Sequence, residues 1–345
     1  MRVVACPDKF RGTASAAQAA ASIAAGVRRR AAADAEVICL PAADGGEGTL
    51  DALGGPNRTS TVTGPLRDRV AAGWRLDGDE AIVEMARASG LALAGGADGN
   101  DPLTATTAGT GELIAEAAAR GARQIVVAVG GSASTDGGLG ALDAMAPLSR
   151  LAGVSVVVAC DVRTAFCDAA RIFGPQKGAS PAQVELLTRR LVRLVDLYRE
   201  RYGVDVSELP AAGAAGGLAG GLAAGLRAEL AAGFEVVATR IGLREAIEGA
   251  DLVVTGEGRL DAGSFDGKVV GGVLALAAKA GVPAAVIVGS RAAGTELPDG
   301  LRPGGGAAPA SLVVLAERFG ADRSMNDTLG AVSDAAAEVV ADVFG

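Results

Sequence analysis

Residues 251–281 have the sequence DLVVTGEGRLDAGSFDGKVVGGVLALAAKAG, and the apolar run AAVIVG (284–289) follows closely. The β-branched run at the start predicts a strand, and the glycine- and acid-rich stretch after it predicts a loop. The alanine- and leucine-rich remainder predicts a helix that ends near Gly281. A strand, a loop, a helix and a second apolar strand are the repeating unit of a parallel α/β sheet.

The same alternation recurs along the chain, which favours an α/β fold with a parallel sheet buried on both faces. The pattern of predicted elements changes between about 60 and 92, where short strands joined by turns predict an α+β insertion. The clearest helix spans 182–200, with Ser180 as its N-cap and Gln183 completing a capping box. The other predicted strands are RVVAC (2–6), EVICL (36–40), QIVVAV (124–129), VSVVVAC (154–160) and SLVVL (311–315).

The composition is glycine-rich and lacks histidine. The chain has 345 residues with 51 glycines, where ordinary usage of about 7% predicts roughly 24. The absence of histidine excludes Ser-His-Asp hydrolases, HExxH metalloproteases and any histidine base. Proton transfer must then use Asp, Glu, Lys or Tyr, and a metal must bind oxygen ligands, which favours Mg²⁺ or Mn²⁺.

Charge and hydropathy exclude two further classes of partner. The net charge is −8 without a basic stripe, so we expect no nucleic-acid binding. The uncharged stretch 209–226 is mostly Gly and Ala, too weakly apolar to span a membrane. Four scattered cysteines and a strand that begins at residue 2 predict a reduced, cytoplasmic protein without a signal peptide.

Several glycine-rich loops follow predicted strands, and each carries acids. Open α/β sheets bind ligands at this edge, where glycine lets backbone N–H groups approach phosphate. Glycine, carboxylate and nearby lysine together suit Mg²⁺-nucleotide chemistry, although each loop alone is equally consistent with a tight turn. GSFDGKV (263–269) is not a P-loop, and GEGRLD (256–261) lacks the last glycine of a dinucleotide fingerprint.

In order along most of the chain, the sequence resembles the bacterial type I glycerate kinases. FGPQKGA and ADGGEGT are the most specific strings. The matching segments are PDKFRG with TASA (7–16), PAADGGEGT (41–49), VTGPL (62–66), IVEMARASGL (82–91), TTAGTGELI (106–114), VAVGGSASTDGG (127–138), ACDV (159–162), RIFGPQKGAS (171–180), GAAGGL (213–218), and TGEGRLD with S-x-x-GK (255–268).

This resemblance implies two interleaved α/β domains, one of them Rossmann-like, with the active site in the cleft between them. On that basis residues 1–59 and 230–345 would form the Rossmann-like domain and 60–229 the inserted substrate domain. The sequence departs from the family between Met145 and Val154, where a few tens of residues are missing. Lys9 replaces a serine and Arg11 a lysine of the family motif.

The implied activity is ATP-dependent phosphorylation of D-glycerate with Mg²⁺, giving 2-phosphoglycerate rather than 3-phosphoglycerate. One alternative is a binding or sensor protein of the same fold that has lost catalysis. Another is an NAD-dependent oxidoreductase, which the absent fingerprint disfavours. A homodimer is compatible with the sequence.

The resemblance and the loop positions together give candidate roles. Competing structural roles remain for Asp44 and Asp261 (helix caps), Lys268 (an exposed helix residue), Asp161 (loop ordering) and Lys177 (a helix start). The candidates are Asp44, Asp261 and Lys268 for catalysis; Asp8, Lys9, Arg11 and Lys177 for substrate; Gly45, Gly46, Glu47, Gly130, Gly131, Ser132, Gly256, Glu257 and Ser264 for ATP; and Asp136 and Asp161 for the metal.

Overall fold

A computed structural model describes residues 1–30, 35–298 and 310–345 of the chain. The chain divides into two compact units, each with its own sheet. Unit 1 consists of Met1–Asp44 with Phe234–Gly345, and unit 2 is Gly45–Gly233.

Strands and helices alternate in part of the described chain, as the sequence predicts, while three strands follow one another between residues 58 and 84. In chain order the strands are β1 (Arg2–Ala5), β2 (Glu36–Cys39), β3 (Arg58–Thr63), β4 (Arg69–Asp77), β5 (Glu80–Glu84), β6 (Gln124–Ala128), β7 (Ser155–Cys160), β8 (Glu229–Ala232), β9 (Leu252–Leu260), β10 (Ala284–Arg291) and β11 (Ala310–Val314). The α-helices are α1 (Ala16–Arg30), α2 (Thr49–Ala52), α3 (Ala86–Ser89), α4 (Gly96–Gly99), α5 (Ala108–Ala119), α6 (Leu139–Ala144), α7 (Ala169–Phe173), α8 (Pro181–Tyr202), α9 (Leu218–Leu226), α10 (Gly233–Arg240), α11 (Leu243–Glu248), α12 (Val269–Ala280), α13 (Leu315–Phe319), α14 (Ala321–Asn326) and α15 (Thr328–Phe344). Short 3-10 helices lie at Leu148–Leu151, Phe166–Asp168, Pro175–Lys177, Ala214–Gly217 and Ala262–Phe265.

The sheet of unit 1 is parallel throughout, in the order β11-β10-β9-β1-β2. Val3 and Val254 pack on one face with residues of α1 and α15, and Val4 and Val253 pack on the other with residues of α11 and α12. Both faces are therefore buried, which explains why these strands are continuous apolar runs.

The sheet of unit 2 is mixed, in the order β3-β4-β5-β6-β7-β8. β3, β4 and β5 pair antiparallel, and β5 to β8 pair parallel. Trp74 is fully buried in this unit, and its indole N–H donates to the Ser60 hydroxyl at 2.9 Å. These antiparallel strands correspond to the short strands of the α+β insertion that the sequence predicts between about 60 and 92.

Helix α8 begins where the sequence predicts. The Gln183 N–H donates to Ser180 Oγ at 3.4 Å, and the Ser180 N–H donates to Gln183 Oε1 at 2.8 Å. This reciprocal pair satisfies two backbone donors at the N-terminus, and Pro181 occupies the first helical position. The expected α/β class with a parallel sheet is likewise confirmed.

Two elements differ from expectation. β8 was not predicted, because its sequence ELAA lacks the β-branched residues that mark a strand. β9 continues through GEGRL, where the sequence predicted a loop, because β10 is long enough to pair with it as far as Arg291 opposite Leu260. No helix among the described residues is both long and apolar enough to cross a membrane.

Candidate active site

The order of the strands in unit 1 creates a switch point between β1 and β9. After β1 the chain adds β2 on one side, and it later returns to add β9 on the other side. Open α/β sheets bind ligands in the crevice at such a reversal, beyond the carboxyl ends of the strands. The Asp8 N–H donates to the Gly256 carbonyl at 2.8 Å, so the segments after β1 and within β9 are held together at this point.

Two carboxyl groups with raised pKa values flank the switch point. Burial raises the pKa of Asp8 to about 6, and the charge of Asp44 adds to the rise while Lys9 and Lys268 oppose it. Burial likewise raises the pKa of Glu257 to about 7. Carboxyl groups that titrate near neutrality in a crevice are candidates for proton transfer.

The carboxyl group of Glu257 is only partly hydrogen-bonded. The Ser264 hydroxyl donates a hydrogen bond to its carboxyl group, which opposes the rise in pKa. Its Oε1 atom is buried and has no hydrogen-bond partner among the described residues. A buried polar atom without a partner is costly, so it marks a position where a ligand would be stabilised.

Asp261 and Lys268 border the same site from the segment between β9 and α12. Asp261 is exposed and is the N-cap of the 3-10 helix Ala262–Phe265, and its N–H donates to Ser264 Oγ at 2.9 Å. Lys268 is half-buried at the N-cap position of α12, and its charge lowers the pKa values of Asp8 and Glu257. We call Asp8, Asp44, Glu257, Asp261 and Lys268 the acid–lysine cluster.

The remaining candidates of unit 1 lie close to this cluster in the chain. Asp44 and Lys9 are half-buried, and Arg11 is exposed. The Ala42 N–H donates to the Pro7 carbonyl at 3.0 Å, which joins the segment that carries Asp44 to the segment that carries Asp8. Unit 1 therefore brings together the predicted catalytic carboxylates, the predicted lysine and part of the predicted ATP site.

In unit 2, the two predicted glycine loops lie against each other. The Val129 N–H donates to the Gly45 carbonyl at 3.0 Å. A Cβ atom on Gly130 would lie 2.4 Å from Gly46 Cα, so this approach requires glycine. The two loops, 45–48 and 129–132, form one surface.

Lys177 is buried next to these loops. Its side chain is 2% exposed, and Nζ donates to the Ser134 carbonyl at 2.6 Å. Burial lowers the pKa of Lys177 to about 7, and the charge of Asp136 opposes this effect. Lys177 contributes to the wall of a cavity of about 120 Å³ that is also lined by Gly130, Gly131, Ser132, Asp161 and Gln176. A buried ammonium group beside a cavity is suited to binding an anion.

Asp136 joins two segments of unit 2, 106–107 and 136–140. Its Oδ2 atom accepts hydrogen bonds of 2.8 Å from both the N–H and the hydroxyl of Thr107, and Oδ1 accepts from the Gly138 N–H at 3.0 Å. Gly140 N–H also donates to Oδ2, at 3.3 Å. These bonds occupy both oxygens, so a role as metal ligand stays a prediction that requires Asp136 to give up existing partners.

Glu84 is a residue that the sequence analysis did not single out. Its side chain is 4% exposed, and Oε2 accepts hydrogen bonds of 3.0 Å from the N–H groups of Gly48 and Leu50. It therefore anchors the N-terminus of α2 directly after the 45–48 loop. The acid at the end of strand β5 was visible in the sequence, but its target in a distant segment was not.

The carboxylates of the described residues do not form a metal centre by themselves. Across the described ranges, no three His, Cys, Asp or Glu side chains converge on a possible metal position. Mg²⁺ commonly uses only one or two protein carboxylates, with water and phosphate oxygens completing its shell. The pKa of Asp8 is raised partly by the charge of Asp44, and a cation here would relieve that repulsion. The cluster thus fits an ion that arrives with a nucleotide.

Comparison with known proteins identifies the family of the chain. The family model for the glycerate kinase family matches residues 3–149 and 145–343, in two parts that overlap at 145–149. Glycerate 2-kinase of Escherichia coli K12 is 40% identical over 327 residues, covering 84% of this chain and 85% of that protein. Glycerate kinase of Halalkalibacterium halodurans is 38% identical over 331 residues, covering 85% of this chain and 87% of its own length.

A solved structure extends the likeness to the fold. The crystal structure of a chain assigned as glycerate kinase 2 of Salmonella typhimurium LT2 has a TM-score of 0.83 and 33% sequence identity, covering 100% of this chain and 98% of that one. With a family model that spans nearly the whole sequence and relatives near 40% identity, the chain belongs to the glycerate kinase family and is a kinase.

Proposed function

We propose that the protein transfers the γ-phosphoryl group of ATP to the 2-hydroxyl of D-glycerate, giving 2-phosphoglycerate and ADP. The observation that carries this proposal is the acid–lysine cluster at the switch point of unit 1. It combines two carboxyl groups of raised pKa with a half-buried lysine at the edge where α/β sheets bind phosphorylated ligands. The relative named glycerate 2-kinase supports the choice of hydroxyl.

Glu257 is the proposed general base. Its pKa of about 7 is close to that of an effective base at neutral pH, and its unpartnered Oε1 is positioned to accept a proton. In the reaction the substrate hydroxyl oxygen bonds to the γ-phosphorus while its proton passes to Glu257. The bond from the γ-phosphorus to the bridging oxygen breaks, and ADP leaves with that oxygen.

Lys268 and Asp44 have supporting roles. The Lys268 ammonium would neutralise charge on the transferring phosphoryl group, as lysines commonly do in phosphoryl transfer. When Mg²⁺ is bound it supplies charge neutralisation on the phosphates, and Asp44 would hold it. Asp261 keeps Ser264 beneath Glu257, which fixes the orientation of the base.

Lys177 is the proposed anchor for the carboxylate of the substrate. It is a buried cation at a cavity of about 120 Å³, a volume that can hold a small acid. An anion there would offset the cost of burying the ammonium group.

The test is a coupled assay of ADP release with D-glycerate and Mg-ATP, followed by a ³¹P spectrum of the product. Release of ADP with a 2-phosphoglycerate signal supports the proposal, and a 3-phosphoglycerate signal would correct the position of transfer. Binding of glycerate or ATP by calorimetry with no ADP formed would instead support a sensor that has lost catalysis.

A further inference from the structure

A cavity of about 140 Å³ opens at the carboxyl edge of the sheet in unit 1, beside the acid–lysine cluster. Its lining comes from the segment after β1, from the ends of β9 and β10, and from α13 and α14. Two chain segments connect it to the cluster, because Gly258 follows Glu257 and Arg11 lies three residues after Asp8.

One wall of this cavity consists of bare backbone. Gly258 and Gly289 lie on neighbouring strands and both line the cavity. A Cβ atom on Gly289 would lie 2.6 Å from the Gly258 carbonyl oxygen. A Cβ atom on Gly258 would lie 3.0 Å from the backbone nitrogen of Arg11. Glycine within a strand often marks a close approach of a ligand or another backbone. Each glycine here is required by the approach of a neighbouring backbone, and both contribute only backbone atoms to the cavity wall.

The other walls are mostly apolar. Phe10 is 1% exposed, whereas the Met325 side chain is 62% exposed although it is large and hydrophobic. The Ser324 hydroxyl donates to the Gly289 carbonyl at 2.9 Å, which holds α14 against β10. A methionine thioether makes favourable contacts with aromatic rings. The apolar lining and the Met325 thioether are thus suited to contact with a planar aromatic ring.

Charge and size restrict the ligand further. Arg11 is the charged residue among those lining this cavity, so an anionic group is favoured at its mouth. A volume of about 140 Å³ is well below the roughly 300–1,000 Å³ of a pocket for a whole drug-sized molecule. It is suited to one ring system whose polar remainder lies outside.

We propose that this cavity binds the purine base of a nucleotide, with the phosphates directed towards the acid–lysine cluster. This inference rests on the proposed function, since that function requires ATP. It adds Phe10, Gly258, Gly289 and Met325 as base-binding residues that the sequence analysis did not assign.

The methionines provide a direct test. The chain has four, and Met85 and Met145 are buried in unit 2 and serve as internal references. In a protein labelled with ¹³C-methyl methionine, ADP should shift the Met325 signal through the ring current of the base, and tripolyphosphate should not. Calorimetry on the same samples measures binding of both ligands. A Met325 signal that ADP leaves unchanged, or that tripolyphosphate shifts equally, would overturn the proposal.

A matched pair of variants supplies a second readout. Met325→Ala should weaken ADP binding roughly 2–10-fold, the range given by the loss of a sulfur–aromatic contact, and leave tripolyphosphate binding unchanged. Val343→Ala removes an exposed apolar side chain from α15, outside the cavity lining, and should change neither affinity.

If ADP shifts the Met325 signal but no phosphoryl transfer occurs, the proposed function fails and the base site stands. If transfer occurs and Met325 is unaffected, the base site fails alone.

Discussion

Lys177 Nζ donates a 2.6 Å hydrogen bond to the carbonyl oxygen of Ser134 from a side chain that is only 2% exposed. A carbonyl oxygen is a neutral partner, so it compensates only part of the cost of burying an ammonium group. Several buried oxygens of unit 2 also lack a hydrogen-bond partner among the described residues: Asn100 Oδ1, Ser134 Oγ and Thr135 Oγ1. The charge proposed to bind an anion therefore lies in a part of the protein where buried polar groups reduce stability.

Replacing Lys177 with methionine should raise the KM for glycerate strongly and change kcat little, because the proposed interaction with the substrate carboxylate is made in ground and transition states alike. In the wild type the same KM should rise as the pH increases beyond about 7, since the lysine of the free enzyme then loses its charge. Steady-state kinetics against pH measure both effects. A KM of the methionine variant equal to that of the wild type would remove Lys177 from the substrate site.

Glu257→Gln should abolish most turnover and stabilise the fold at alkaline pH. The folded protein holds the Glu257 proton more tightly than the unfolded chain, since the pKa rises from 4.5 to about 7. Stability therefore falls as the pH rises between these values, and the full cost remains above pH 7. The glutamine variant should melt higher than wild type at pH 8 and equally at pH 4, with kcat lower by about 10²–10⁴-fold.

Glu248→Gln is the matched control for that experiment, since Glu248 is exposed in the same unit. It should show neither the pH-dependent gain in Tm nor the loss of kcat. A Glu257→Gln enzyme with wild-type kcat would assign the base to another carboxylate.

Lys268→Ala should lower kcat sharply and change Tm little. Its side chain is half-buried at the start of α12, where a cation is unfavourable to the helix dipole, so the fold loses little when it is removed. Turnover assays and thermal melts on the same preparation separate the two effects. Unchanged kcat would place Lys268 outside the reaction.

Asp44→Asn should reduce turnover by far more than tenfold, because the substitution removes a negative charge from the site while keeping the shape of the side chain. A residual rate within about tenfold of wild type, equal to roughly 1.4 kcal/mol, would demote Asp44 to a structural residue. The rate is measured at saturating Mg-ATP and glycerate so that weaker binding does not imitate a loss of chemistry.

Asp136→Asn should destabilise unit 2 whether or not Mg²⁺ is present. The amide would replace one acceptor oxygen with a donor and lose hydrogen bonds from Thr107 or Gly138, at a cost of about 1–3 kcal/mol. Urea unfolding with Mg²⁺ and with a chelator measures this loss, and the exposed Asp143→Asn provides the control. Wild-type stability combined with a higher Mg²⁺ requirement would instead support the predicted metal role.

The sequence predicted the elements well where their signals are local. Helix α8 carries its own capping box, and strand β1 is a continuous apolar run, so both were placed correctly. Strand β8 and the continuation of β9 were missed because pairing with a distant partner, β7 or β10, determines them.

The same contrast between local signals and long-range packing applies to the candidate site. The acids of the glycine-rich loops were visible, but their environments were not. Burial distinguishes Glu257 from Asp261, and that depends on packing around β9 rather than on the local pattern. Similarly, nothing near Asp136 in the sequence shows that Thr107 will bind it, or that Lys177 will be enclosed.

Because unit 1 is built from two separate parts of the chain, its folding during synthesis on the ribosome is delayed. Strands β1 and β2 are made first, but β1 pairs on its other edge with β9, which emerges only after the whole of unit 2. Unit 2 is continuous, so it can fold while the rest is still being translated, whereas the N-terminal strands must wait for their partners. Because closing that long connection slows folding, the N-terminal segment spends the longest time exposed to proteases and chaperones.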